Sequence, residues 1–353
     1  MVHDFAWAAD PDYVHDVIEG PNGVELHFLY LNDPEIKENW KRLQQDTAKM
    51  LAFFNKNIGP YPYKQYSVIQ GGDGGMEYPM CTLITGGRKY KSLFGVTAHE
   101  LAHSWFHHLL GTNESKYAWM DEGFTSFYDM LCESELLGTE DVFGGFYESY
   151  YQLALSGIEE PLTTHSDRFS HNFAYGAGSY SKGAVFLAQL GYVIGFDNLK
   201  KSVKRYFETF QFSHPTPNDF KRIAEKVSGI QLEWYLNDWV RTTSVIDYGI
   251  KNLVSVDQKT EVVLERVKTM PMPVEVLVTK KNGKLEYYYI PLRMMRGEKK
   301  VSDDVIVLPD WAWAIPTYRF DLPYALEDIL SIQLNPMGLK ADVNPSNDTF
   351  VVK

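Results

Sequence analysis

With 353 residues, of which 44% are hydrophobic and 23% charged, the chain has a globular composition and the length of two or three domains. A net charge of -12 without any run of lysine or arginine argues against a nucleic-acid partner, and no apolar stretch reaches the roughly 18 residues that a membrane span needs. Cys81 and Cys132 are the only cysteines, too few for a disulfide framework, and they can sit reduced in a core in any compartment.

The start, MVHDFAWAADPDYVHD, lacks a basic segment followed by an apolar one and is not a signal peptide. Its alternation at Val2, Asp4, Phe5 and Trp7 reads as a strand. Asp33-Pro34 opens a helical pattern that Gly59-Pro60 and Pro62 end. KQYSVIQ, residues 64–70, alternates as a short strand, and a glycine-rich turn over 71–75 precedes another strand through Thr82, Leu83 and Ile84. Glycines beside a strand let a ligand or a second backbone come close. Residues 92–243 read almost entirely as helices, broken at Gly111, Gly138, 157–176, Gly195 and 213–219. After about 246 the period shortens to two: KTEVVLERV, MPVEVLVTKKNGKLEYYYIPL and DVIVLP read as strands of a separate antiparallel module, with Asn282-Gly283 as a two-residue hairpin turn. ADVNPSND, residues 341–348, contains calcium-type ligands without EF-hand spacing and reads better as an Asn/Asp-rich turn.

HELAH, residues 99–103, places His99 and His103 on one helix face, with Leu101, Trp105 and Leu109 on the other, facing the core. Glu100 stands beside the pair, where a carboxylate can take a proton from metal-activated water. A third ligand decides whether this is a metal site or two ordinary amphipathic helices. The metzincin extension needs glycine at 106 and histidine at 109, but Phe106 and Leu109 stand there. After the eighteen residues 104–121 that follow His103 comes Glu122, opening a helix with apolar Phe124, Phe127, Tyr128 and Leu131. Two imidazoles and one carboxylate leave a fourth zinc position free, the mark of a catalytic site. His107 and His108 lack such spacing and read as surface residues or as supports behind the ligands. Asp121 and Asp129 either orient a ligand histidine or are exposed helix acids, the commoner case.

Together these residues resemble the aminopeptidase N family of zinc metallopeptidases, gluzincins that include the leukotriene-hydrolysing aminopeptidases. HELAH with Glu122 inside WMDEGF matches its zinc signature. GGMEYP (74–79) resembles its G-x-M-E-N box, and SYSKGA (179–184) its Y-x-K-G-A box. GPYPY (59–63) and WYLNDWVRTT (234–243) resemble further landmarks, so the likeness runs over about 1–245. The resemblance implies an α+β, thermolysin-like catalytic domain over 23–245, mainly helical with a small sheet at its start, and a β-sandwich over 246–353. Residues 1–22 are then expected to be the last strand of an N-terminal β-domain otherwise missing from this chain. It implies one Zn2+ held by His99, His103 and Glu122, Glu100 as general base, and Tyr180 as oxyanion donor. Glu77 would clamp the free α-amino group of a peptide substrate, with Tyr175 as a further active-site tyrosine and Gly74 and Gly75 offering backbone groups. Tyr78 replaces the family asparagine and bears on side-chain preference. Hydrolysis of another electrophile, such as an epoxide, and silent peptide binding are the competing functions, and any export signal would lie outside this chain.

Overall fold

Side-chain alternation becomes a strand only where a neighbour completes the hydrogen bonds. In the computed structural model, which describes residues 2, 4–72 and 74–352, that first happens at β1 (Tyr13–Glu19), antiparallel to β2 (Glu25–Leu31). The strand expected from Val2 to Trp7 is not formed by the described residues there; Phe5 and Trp7 are 86% and 76% exposed, and no ladder pairs with them. Helix α1 (Lys37–Asn57) buries Trp40, Leu43, Met50, Leu51 and Phe54, and the Trp40 ring stacks on Tyr30 of β2. β3 (Gln65–Gly71), β4 (Met76–Tyr78) and β5 (Cys81–Thr85) complete a five-stranded sheet in the order β1-β2-β3-β5-β4. β2, β3 and β5 run parallel, while β4 returns antiparallel on β5 and forms the edge. At three residues, β4 is too short to show a period, and sequence reasoning passed over it.

The helical stretch holds α2 (Tyr90–His103), α3 (Glu114–Leu137), α4 (Gly144–Leu155), α5 (Asn172–Gly176), α6 (Gly183–Ile194), α7 (Phe196–Phe210), α8 (Pro217–Ser228) and α9 (Glu233–Arg241). Two of its connections are π-helical turns, Ser104–Leu109 directly after α2 and Ala177–Lys182 directly before α6. Such turns widen the helix by one residue and often mark functional sites. The backbone of α3 breaks at Tyr117 (φ -134°, ψ 45°), so Glu122, expected to open a helix, lies inside α3 just beyond that break.

The strands that follow are β6 (Tyr248–Val256), β7 (Lys259–Arg266), β8 (Val274–Lys280), β9 (Leu285–Ile290), β10 (Val305–Val307), β11 (Thr317–Leu322), β12 (Ile329–Leu334) and β13 (Thr349–Val351). They form a sandwich of two sheets, β11-β7-β6 and β10-β9-β8-β12-β13, with Val262, Leu264, Val276 and Val278 in its core. Pairing is antiparallel except for β10, which lies parallel to β9. The β8–β9 hairpin differs in detail from the two-residue turn expected. Gly283 N–H donates to Lys280 O (2.9 Å) and Lys280 N–H to Lys284 O (2.9 Å). Gly283 alone takes positive φ (+84°), which makes a three-residue loop with a glycine bulge, because Asn282 stays out of the left-handed region that a two-residue turn requires. The Asn/Asp-rich segment is a turn: Asp342 accepts from Tyr248 N–H and Asn344 N–H, and Pro345–Asn347 forms one 3-10 turn.

The chain divides into two compact units, Met1–Tyr150 with Leu162–Val185 and Lys200–Phe220, and Tyr151–Pro161 with Phe186–Leu199 and Lys221–Lys353. Cys81 is half-buried and Cys132 buried, and both are free thiols. No helix among the described residues is long and apolar enough to cross a membrane.

Candidate metal centre

Helical spacing puts the His99 and His103 rings one turn apart on α2, and α3 packs across them. Their Nε2 atoms are 3.1 Å apart, and Glu122 Oε2 lies 3.1 Å from the first and 3.2 Å from the second. A tetrahedral ion with bonds of about 2.0 Å spaces its ligands about 3.3 Å apart, so this nearly equilateral triangle has the dimensions of three ligands on one small cation. The far nitrogens fix the rings: His99 Nδ1 lies 2.6 Å from Asp129 Oδ2, and His103 Nδ1 2.7 Å from Asp121 Oδ1. Nδ1 of each ring faces a carboxylate, so Nε2 is the nitrogen turned into the triangle, free to ligate once its own proton is lost. Asp121 and Asp129 are 1% and 8% exposed, which overturns the reading of them as exposed helix acids. Buried acids need partners, and the two ligand histidines supply them.

The electrostatics follow from this crowding. Burial alone would discharge the His99 ring, but the hydrogen bonds of Asp129 and Glu122 outweigh it and hold its pKa up at about 10. Burial also opposes charge on Glu122 and Asp121, yet the neighbouring histidines pull both well below the usual carboxylate range. Glu100 is the opposite case. It is 6% exposed, its Oε2 has no hydrogen-bond partner among the described residues, and burial pushes its pKa up to about 7 against the smaller pull of His99 and His103. Glu77, on edge strand β4, is likewise raised by burial and has Oε1 3.9 Å from His103 Nδ1.

Glycines set how closely these pieces approach. A Cβ on Gly75 would stand 2.4 Å from Glu100 Oε1 and 2.6 Å from Val96 Cγ2, so the β4 approach passes directly over the Glu100 carboxylate. Gly74 is open, with only Arg88 Nη2 at 3.8 Å, and its carbonyl accepts from Arg88. Gly123, next to Glu122, and Gly183, in the SYSKGA box, pack backbone against backbone: a Cβ on either would meet the other's Cα within 2.8 Å. That contact seats Tyr180 over the triangle, where its hydroxyl donates to Glu122 Oε1 (2.7 Å) and its ring stacks on His99 at 5.7 Å. Sequence reasoning missed the glycine pair; its signal was a small residue inside each of two motif boxes. Tyr175 lines a cleft of about 170 Å3 with Glu114, Ser115, Ala118, Asp121, Glu122 and Ser166. A larger cavity of about 420 Å3, bordered by Gln231, Glu233, Trp234, Arg293 and Trp313, belongs to the second unit and has no histidine or cysteine in its wall.

His107 and His108 are not surface residues: they are 6% and 5% exposed. The π-helical turn carries His107 to Asp121, with Nδ1 3.1 Å from Oδ2, so it stands behind His103.

Residues 43–239 match the peptidase family M1 domain. The chain is 27% identical over 214 residues to probable aminopeptidase 2 of Sulfurisphaera tokodaii, covering 59% of this chain and 26% of that protein. It is 28% identical over 194 residues to leukotriene A-4 hydrolase of Xenopus laevis (50% and 31% covered) and 26% over 219 residues to aminopeptidase B of Mus musculus (54% and 33%). It thus spans about a quarter to a third of the length of these curated relatives. With the family domain matched over more than half of its length, around the converging His99, His103 and Glu122, the chain belongs to the M1 peptidase family.

Proposed function

We propose that this chain carries the active site of a zinc aminopeptidase that removes residues from peptides with a free N-terminus. The observation that carries the reading is the ligand triangle of His99, His103 and Glu122, with two further buried carboxylates, Glu77 and Glu100, within 4.8 Å of His103. Two imidazoles and a carboxylate fit zinc with an open position, and the ion when bound supplies the Lewis acidity that polarises the scissile carbonyl and acidifies water. Glu100, with a raised pKa and a free oxygen, takes the proton of the attacking water and passes it to the leaving amine. Tyr180, a neutral phenol held up by burial and by Glu122, has the proton to donate to a developing oxyanion. Glu77 pairs with the substrate ammonium and so sets cleavage one residue from the N-terminus. The position of β4 at the end of its sheet supports an extended peptide laid alongside it.

The test compares aminoacyl anilides with their N-acetyl counterparts on zinc-loaded protein and its Glu100→Gln variant. Cleavage confined to free amines, and lost in the variant with zinc retained, is expected. Equal cleavage of both would remove Glu77 from its role. Cleavage of neither by a zinc-loaded chain would bring epoxide hydrolysis or silent peptide binding forward.

A further inference from the structure

On the Nδ1 side of His103 a second set of donors converges. Glu77, His107, Glu114 and Asp121 each bring a ligand-type atom within 4.8 Å of those of the other three. Asp121 divides its oxygens: Oδ1 faces His103 Nδ1 at 2.7 Å, and Oδ2 faces His107 Nδ1 at 3.1 Å. The second spacing is again that of two ligands on one small cation. Local backbone geometry creates the set. The π-helical turn after α2, with Leu110 N–H on Trp105 O and Thr112 N–H on His107 O, rotates His107 behind His103, and the break at Tyr117 lets Glu114 and Asp121 face the same side. Asp121, His107 and Glu77 are 1%, 6% and 7% exposed, whereas Glu114 is exposed and leaves an entry path.

We propose that Glu77, His107, Glu114 and Asp121 form a second divalent-cation site, suited to Zn2+, Co2+ or Mn2+, whose occupation takes Glu77 away from the substrate ammonium. One imidazole with carboxylates is a donor set of that borderline class. The inhibitory consequence rests on the reading of Glu77 given above, but the ion count does not.

Metal-stripped full chain titrated with Co2+, read by calorimetry and by the visible bands of the ion, should take two equivalents, the second weaker. His107→Asn and Glu114→Gln should each weaken the second by about 10-fold or more while keeping the first. Because Glu114 is exposed, its variant remains informative if the buried His107 substitution fails to fold. With an aminoacyl anilide, excess Zn2+ should raise KM and leave kcat unchanged. A single equivalent in the unsubstituted protein overturns the site. A second equivalent untouched by Glu114→Gln places the ion elsewhere, for example on the exposed His15·His27 pair, whose ring nitrogens are 3.0 Å apart, and overturns the assignment. Inhibition that lowers kcat alone refutes competition at Glu77. Two equivalents with no hydrolysis of any anilide would strike the aminopeptidase reading and leave the second site standing.

Discussion

Replacing Gly75 by alanine puts a methyl group where Glu100 Oε1 and Val96 Cγ2 already are, at 2.4 and 2.6 Å from the new Cβ. Relief needs about 1 Å of movement to restore ordinary contact, and the freest group to give way is the Glu100 carboxylate, the end of a flexible side chain. Folding should lose about 1–3 kcal/mol, because the Glu100 carboxylate can swing away but Val96, β-branched on α2, holds a stiff rotamer and must shift, while no backbone atom is among the nearest contacts. The proposed reaction should suffer more. Misplacing a reacting group by about 1 Å costs about 100-fold in rate, or about 2.7 kcal/mol in the barrier. Steady-state hydrolysis of an aminoacyl anilide, with zinc content and melting temperature measured on the same samples, should show kcat down about 100-fold, zinc unchanged and melting lowered by only a few degrees. Gly87→Ala is the control, since its Cβ meets nothing within 4 Å. Unaltered kcat in Gly75→Ala would refute the claim that the backbone leading into β4 packs against the Glu100 carboxylate, as would an equal loss in Gly87→Ala.

Asp129→Asn removes the carboxylate that orients His99 and should lower zinc affinity about 10- to 100-fold in a chelator competition, with little change in fold by circular dichroism. Zinc must displace the proton that Asp129 and Glu122 hold on His99, so its apparent affinity should climb as pH rises from 6 to 9, with proton release visible as a buffer-dependent heat. The same shift has a stability consequence in metal-stripped protein. The folded pKa of about 10 lies above the unfolded value near 6.5, so the His99 contribution is complete below about 6.5 and lost as pH rises toward 10. Melting temperature should therefore fall over that window in stripped protein and less in zinc-loaded protein; a rise would contradict the sign. Gly183→Ala forces a methyl against the Gly123 Cα (2.8 Å) and Trp119 O (2.9 Å), both backbone, and should cost about 1–3 kcal/mol in urea unfolding, while Gly176→Ala, with nothing nearby, should be neutral.

Much of this protein was legible in one dimension because its signals are local and periodic. A four-residue spacing puts two histidines on one helix face whatever surrounds the helix, and eighteen further residues to Glu122 are enough for a turn and a return. The shift of period near 246 separates helices from sandwich strands for the same reason. What needed the folded chain is what depends on neighbours. The described residues between Val2 and Trp7 have no partner strand despite the alternation, while β4 has a partner and no visible period. Asp121, Asp129, His107 and His108 look like solvated helix residues until α2 and α3 close over them. Period and spacing thus located the helical and strand regions and the three ligand candidates, since both are properties of a segment, while the fold class came with the family resemblance of the motifs. Only tertiary packing decided the triangle's dimensions, the carboxylates that orient its histidine rings, the backbone contact of Gly123 with Gly183 and the second cluster behind His103, because each is a distance between segments far apart in the chain.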